Sequence, residues 1–449
     1  MDKHKIKYSA FESEESYDGA SPKSTVADGL FFILIIGGQS YFFGLINPQW
    51  LYVPGLFDIR MLLILYCTIL TFLMLRHRRV LSFFPGGKIM FFVAAYVLMQ
   101  FLFSAIQLGA FNAFKVFRYY CFPLVAIGPL IYILTISRVR QLRFIRWVFI
   151  ATIAQGLFYI LHYAGFSIFF TPTDTVQVFS SFEEQRFNQA FPLYTTFVLN
   201  ASLLLMIYKN RLSYSLWVIL LSFAIILYAT RSIIIPAVFS LVMIIAMAML
   251  KKGGKIVGAL SLFSLFAISG YMLFIIFFPE YPDFVTGRLL EITGAEGLRG
   301  ASNYKLRILY VENVVADMSS LKVLLFGHGY QAYLTQDLWA LGKEATDIAM
   351  QGDAPIAGLL FTEGFVGVAL RALPFIVLLF VHIRLLITSN DSDDLIISTL
   401  IVIMITSSLL GWLQTTVLRD LPLSLLPFFI LHALHSSNSS ILSSEFTKQ

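Results

Sequence analysis

Apolar residues run along most of this chain in stretches of about 20, the length that crosses a bilayer core as a helix. No alternation of apolar and polar positions with a period of two is present, so the runs read as helices and not strands. In lipid only helices or closed barrels satisfy the backbone, and the pattern selects helices. About twelve runs can be marked on the helix-length rule. They fall near 29–46, 57–75, 89–109, 119–136, 147–170, 190–208, 214–229, 233–250, 256–278, 354–386, 394–417 and 421–435. The expected fold class is an all-α polytopic membrane protein with about 12 transmembrane helices and a large helical periplasmic loop.

The expected organisation follows from these runs. Residues 1–28 are a polar tail containing "FESEESYDGASPKS", without the early apolar core of a signal peptide. Residues 29–278 carry the first nine helices, 279–353 the large loop, 354–435 the last three helices and 436–449 a second tail. The large loop, about 75 residues, is too long for a simple connector. Inside it "SNYKLRILYVENVVADMSS" reads as an amphipathic helix, with Leu306, Tyr310, Val314 and Met318 at helical spacing and Ser302 or Asn303 able to cap its start. "FGHGY" reads as a tight turn, with Gly327 and Gly329 around His328. The run 354–386 would measure roughly 50 Å as one straight helix, longer than the bilayer core. Gly364, Gly367 and Pro374 are candidates to break it. Glu363 and Arg371 lie inside it, which predicts that part of it lines a polar cavity.

Composition agrees with the pattern. The chain is 58% hydrophobic and only 13% charged, far too little charge to cover a soluble surface. Mean hydropathy is +0.79. Charge adds an orientation. The basic connectors "RHRR" at 76–79, "SRVRQLRFIR" at 137–146, "KNR" at 209–211, "KKGGK" at 251–255 and "HIR" at 382–384 fall on one side if the twelve runs are correct. By the positive-inside rule that side is cytoplasmic, and both termini lie with it. Cys67 and Cys121 both sit in apolar runs and support neither a disulfide framework nor a metal cluster. The histidines are scattered without metal-ligand grouping, and no nucleic-acid partner is expected.

The candidate chemistry centres on "ILYATRSIIIPAVFS", residues 226–240, where Arg231 stands between two apolar runs. One reading is a snorkelling arginine with its head among lipid phosphates. The other is an anion site. Ser232 can cap the helix that follows, Pro236 is tolerated in its first turns, and free N–H groups with a positive dipole end favour anions there. A guanidinium beside them matches phosphate oxygens in pairs. Arg118, Arg186, Arg288, Arg299 and Arg307 join it on the expected outer side, against the positive-inside bias.

These segments resemble the O-antigen ligase and polymerase superfamily (WaaL-like and Wzy-like proteins). "YATRSIIIPAVFSLVMII" resembles the family segment in which an arginine opens an apolar helix. "NYKLRILYVENVVADMSSLKVLLFGHGYQAY" is similar to its large outer loop, and "GDAPIAGLLFTEGFVGVAL" to the segment after it, ending in an acidic-Gly-x-x-Gly pattern. "EQRFNQAFPLYTTFVL" is similar to an earlier loop. The resemblance covers about 190–370 in order and spacing. It implies a bacterial inner-membrane glycosyltransferase that takes glycan from undecaprenyl pyrophosphate at the periplasmic face. On that resemblance Arg231, Arg307 and, by a looser match, Arg186 contact the pyrophosphate. They neutralise charge on the leaving group, so that no metal and no cofactor is expected. Lipid-linked oligosaccharides, membrane lipids, and a chain-length regulator and flippase of the same pathway are the implied partners.

One departure matters. The ligases carry a histidine just before the Gly-x-x-Gly span, whereas this chain has "MQGDAPI" there. The general base is then Asp353, His328 or Glu312, in that order, since a placed carboxylate or imidazole can take the acceptor proton. Each has a plainer reading: Asp353 as a helix N-cap, His328 as a turn residue, and Glu312 as a solvated partner of Lys305. The departure favours a polymerase over a ligase. The rival from another class is a transporter or flippase with Glu363 and Arg371 at the centre of a cavity. Asp391-Ser392-Asp393 has the spacing of a metal-binding DxD, but reads better as a helix-capping loop.

Overall fold

The computed structural model describes residues 22–37, 59–118, 120–163, 177–178, 185–186, 194–209, 213–228, 231–252, 311–331, 355–389, 391–410 and 430–432. The fold is all-α. In order come α1 (Pro22–Phe31), continued by a π turn, α2 (Ile59–Met74), continued by a 3-10 segment (Leu75–Phe83), and α3 (Gly87–Leu108). Then follow α4 (Ala110–Phe117), α5 (Phe122–Val125), α6 (Ile127–Thr135) and α7 (Arg138–Tyr163). A minimal antiparallel pair joins Gln177–Val178 to Gln185–Arg186, with Gln177 opposite Arg186. After it come α8 (Thr195–Lys209), α9 (Ser213–Tyr228), α10 (Arg231–Lys252), α11 (311–317), α12 (Leu321–Phe326), α13 (Pro355–Thr388) and α14 (Ser392–Leu410).

The expectation of about 12 transmembrane helices is overturned. Among the described residues four helices are long and apolar enough to cross a membrane: Met61–Ser82, Gly87–Leu108, Arg138–Leu161 and Ile356–Thr388. A fifth is reached only if Ala110–Phe117 and Phe122–Thr135, bent by 82° at their junction, count as one broken span. The expected runs at 256–278 and most of 421–435 lie outside the described residues. The chain is a multi-spanning α-helical membrane protein, with four long spans, or five counting the bent pair, among the described residues.

The physical reason is visible in α8. Apart from Thr196, every residue from Thr195 to Tyr208 is buried. A helix that is apolar on all sides can be lined by protein as well as by lipid. At 15 residues it measures about 22 Å, short of the roughly 30 Å bilayer core. Hydropathy alone scores such a helix as a span. Around α8 pack α9, α10 and α14, and Asn200 turns its amide toward the Met404 sulfur at 3.6 Å.

Two polar joints tie the helices together. At the first, Arg140 of α7 meets Asp28 of α1, with Nε to Oδ2 at 2.8 Å, and the Tyr132 hydroxyl donates to Oδ1 at 2.7 Å. Asp28 is 1% exposed, so the charge is taken out of water and the cation is its compensation. At the second, His382 of α13 places Nδ1 3.1 Å from Ser398 Oγ and Nε2 3.1 Å from His432 Nδ1. The DxD-spaced triplet starts α14. Asp391 Oδ1 accepts from the Asp393 N–H at 2.9 Å, and Asp393 pairs with Lys209 at 2.6 Å. That is a capping arrangement, as its spacing before a helix allows.

Candidate functional site

α13 is interrupted at Gly364, where φ is 68° and ψ −172°, a backbone region open essentially to glycine alone. A break of this kind frees the carbonyls before it, and buried carbonyls demand partners. The large loop supplies them. The N–H of His328 donates to the Phe361 carbonyl at 2.7 Å and that of Gly329 to Thr362 at 2.9 Å. The third carbonyl, of Glu363, accepts from the Tyr96 hydroxyl of α3 at 2.5 Å. The turn "FGHGY" is thus seated in the helix break. Gly327, with φ of 72°, makes the approach possible: a Cβ there would lie 2.6 Å from the Thr362 carbonyl carbon.

α3 holds the same turn from its other side. Gln100 donates to the Phe326 carbonyl at 3.0 Å and to the Tyr96 hydroxyl at 2.9 Å. Ser104 Oγ accepts from the Tyr330 N–H at 2.8 Å. Tyr96, Gln100 and Ser104 recur every four residues, which puts them on one face of an apolar helix. This polar stripe is the signal in the sequence that pointed to the docking, and the sequence reading passed over it.

Beneath the turn lies a closed ion pair. Glu363 and Arg371 are both fully buried. Arg371 Nε reaches Glu363 Oε2 at 2.7 Å, and a second guanidinium nitrogen meets Oε1. The guanidinium also donates to the Tyr120 carbonyl at 3.0 Å. Tyr330, immediately after the glycine turn, donates its hydroxyl to Glu363 Oε1 at 2.7 Å. Its ring stacks on Tyr120, with centroids 5.9 Å apart, and meets the edge of Phe117 at 5.2 Å. Burial first, and then the adjacent carboxylate, pushes the Tyr330 phenol well above its ordinary 10.0, so it keeps its proton and donates the hydrogen bond to Glu363. The expected polar cavity around Glu363 and Arg371 is replaced by a solvent-excluded brace. The reason is that each charge finds its partner eight positions along α13, about two turns away.

The six residues singled out in the sequence are placed as follows. Arg231 is the first residue of α10, directly at a helix N-terminus. Arg186 lies in the short strand pair opposite Gln177. Arg307 and Asp353 lie outside the described residues. Glu312 is exposed on α11. His328 sits in the docked turn, its ring against Phe361 with centroids 4.7 Å apart. Its Nε2 is buried without a hydrogen-bond partner among the described residues. Glu312 and His328 therefore share one docked segment. Arg118 caps the end of α4, where its N–H donates to the Phe114 carbonyl. Among the described residues no group of three His, Cys, Asp or Glu side chains is arranged to hold a metal ion.

Compared with known proteins, the chain matches no family model and no curated protein.

Proposed function

We propose that this chain is a membrane glycosyltransferase of the polysaccharide-polymerase kind, working on glycan held by undecaprenyl pyrophosphate. The observation that carries the reading is Arg231 as the opening residue of α10, between two apolar helices. A helix N-terminus offers N–H groups and a positive dipole end to an anion, and an arginine at that position in the sequence adds a charge suited to phosphate oxygens. The order of the motifs from about 190 to 370 supports the same reading, as does the loop turn clamped beside a broken helix.

In the proposed reaction an acceptor hydroxyl oxygen attacks the anomeric carbon of the donor glycan. The carbon–oxygen bond to pyrophosphate breaks, and the pyrophosphate leaves with the electron pair. Arg231 and Arg307, with Arg186, hold that charge electrostatically, so the chemistry is metal-independent. His328 Nε2, Asp353 or Glu312 takes the hydroxyl proton. The acceptor is a lipid-linked repeat unit. A flippase and a chain-length regulator would act before and beside this step. The corresponding location is the bacterial inner membrane, with the loop periplasmic and both termini cytoplasmic. The closed Glu363–Arg371 pair argues against the transporter reading that would have used it as a cavity centre.

The test is complementation of a deletion strain with wild type, Arg231→Ala, Arg307→Ala and His328→Ala at matched membrane levels, with polysaccharide resolved on a gel. The expected outcome is a ladder with wild type and collapse to one repeat unit with the arginine variants. Long polymer retained on its lipid carrier would make the protein a ligase. A wild-type ladder from both arginine variants would refute the site.

A further inference from the structure

α12, "LKVLLF", has five apolar residues in six and yet buries none of them. Leu321 is 71% exposed, and Leu324 and Phe326 are 42% exposed. In water such a helix would be held open at a continuing cost, because exposed apolar area is unfavourable by about 25 cal/mol per Å². It is nonetheless fixed. Ser320 caps it through the Val323 N–H, and the turn behind it is locked into the break of α13 by the hydrogen bonds of His328 and Gly329.

Its neighbours tell what covers it. The Lys322 ammonium stands 5.6 Å above the ring of Phe103 on α3, and Phe326 is tied by its carbonyl to Gln100. Phe103 and Ile106 are themselves open, Ile106 at 84%, and belong to the apolar outer face of a helix long enough to span the bilayer. The apolar face of α12 thus continues a surface already facing lipid. Gln100 and Ser104, the docking points on α3, lie eight and four residues before its end at Leu108. At 1.5 Å per residue that is about 12 and 6 Å from the end of the span, on either side of the roughly 5–10 Å depth at which interfacial helices lie between headgroups and acyl chains. One lysine among apolar residues suits that boundary, its stem in the apolar layer and its ammonium at the phosphates.

The geometry points to residues 320–331 as a membrane-inserted element: α12 lies in the outer region of the bilayer, at the Leu108 end of α3, with Leu321, Leu324 and Phe326 in acyl chains and Lys322 at the lipid phosphates. The large loop is then anchored in the membrane at this point, whatever reaction the protein performs.

The experiment places a nitroxide at Leu321→Cys and, separately, Leu324→Cys in the full-length protein, reconstituted in vesicles of phosphatidylethanolamine and phosphatidylglycerol. Both native cysteines are buried, so labelling is selective. Ile106→Cys serves as the lipid-facing reference and Asp317→Cys, exposed on the same segment, as the aqueous one. Collisions with oxygen, which concentrates in lipid, are expected to exceed those with a water-soluble nickel chelate severalfold at 321 and 324, as at 106, with the reverse at 317. A preference for nickel at 321 and 324 would overturn the inference and leave a loop helix in water. Protection from both reagents would also overturn it, showing a second protein surface over α12.

Discussion

The seat of the glycine turn makes a sharp prediction. Gly327 and Gly364 face each other with φ of 72° and 68°. A Cβ on Gly327 would meet the Thr362 carbonyl carbon at 2.6 Å and the Glu363 nitrogen at 2.7 Å, and one on Gly364 would meet the Gly327 nitrogen at 2.5 Å. These are backbone atoms and cannot rotate away. Gly327→Ala therefore carries a backbone strain of about 1–3 kcal/mol. It also pushes the turn from the break, which releases the bonds to Phe361 and Thr362 and leaves buried carbonyls at about 1–3 kcal/mol each. The expected loss is about 3–9 kcal/mol, in the range that marks a specific structural fault. Gly109, with φ of 82° but nothing within 4 Å of its would-be Cβ, carries the strain alone, about 1–3 kcal/mol. Gly29→Ala, in α1 with open space around it, should stabilise by about 0.5–1 kcal/mol. The assay is reversible unfolding of each variant in mixed micelles titrated with sodium dodecyl sulfate, followed by tryptophan fluorescence. Because both glycines serve one contact, the double variant Gly327→Ala/Gly364→Ala should lose clearly less than the two single losses combined. If Gly327→Ala is no less stable than Gly109→Ala, or the two glycines act additively, the docking described here is wrong.

Other outcomes follow from the same geometry. Glu363→Ala strands the buried guanidinium of Arg371 and should cost about 3–5 kcal/mol, while Glu363→Met/Arg371→Leu should recover much of it; monodisperse yield on fluorescence size exclusion reads both. Tyr330→Phe removes one bond to a buried carboxylate and should lower stability by about 1.5–3 kcal/mol, seen in the same micelle titration. His432→Leu deprives His382 of its ring partner and should cost about 1–3 kcal/mol, with a smaller loss when His382 is also made leucine, measured as thermal midpoints in detergent. Arg140→Met leaves Asp28 buried without its cation and should loosen α1, read as faster proteolysis within residues 22–31 while the α13 region keeps its resistance.

Much of this was legible in the chain. A break within the long run at one of Gly364, Gly367 or Pro374, the turn at Gly327–Gly329 and the capping role of Asp391 could be read because each is a local property of backbone chemistry. The number of spans could not. Apolar length reports that a helix avoids water, and α8 avoids it inside the protein. The buried pair was misread for a related reason. Glu363 and Arg371 inside an apolar run announce that something polar is near, but cavity and brace give the same one-dimensional signal. The polar stripe of α3 was present at regular spacing, though its partners, the Phe326 carbonyl and the Tyr330 N–H, lie 226 positions away.

By itself, then, the sequence determined helices, their apolar character and the glycine positions where the backbone must turn, since all of these depend on neighbours within about one helical turn. Only the tertiary structure decided which apolar faces meet protein and which are left open. It alone seated the loop in the broken helix, because a freed carbonyl specifies that a donor must come and not which donor. That choice is made by long-range packing, and it turned two charges that looked like a passage through the membrane into the bolt that closes it.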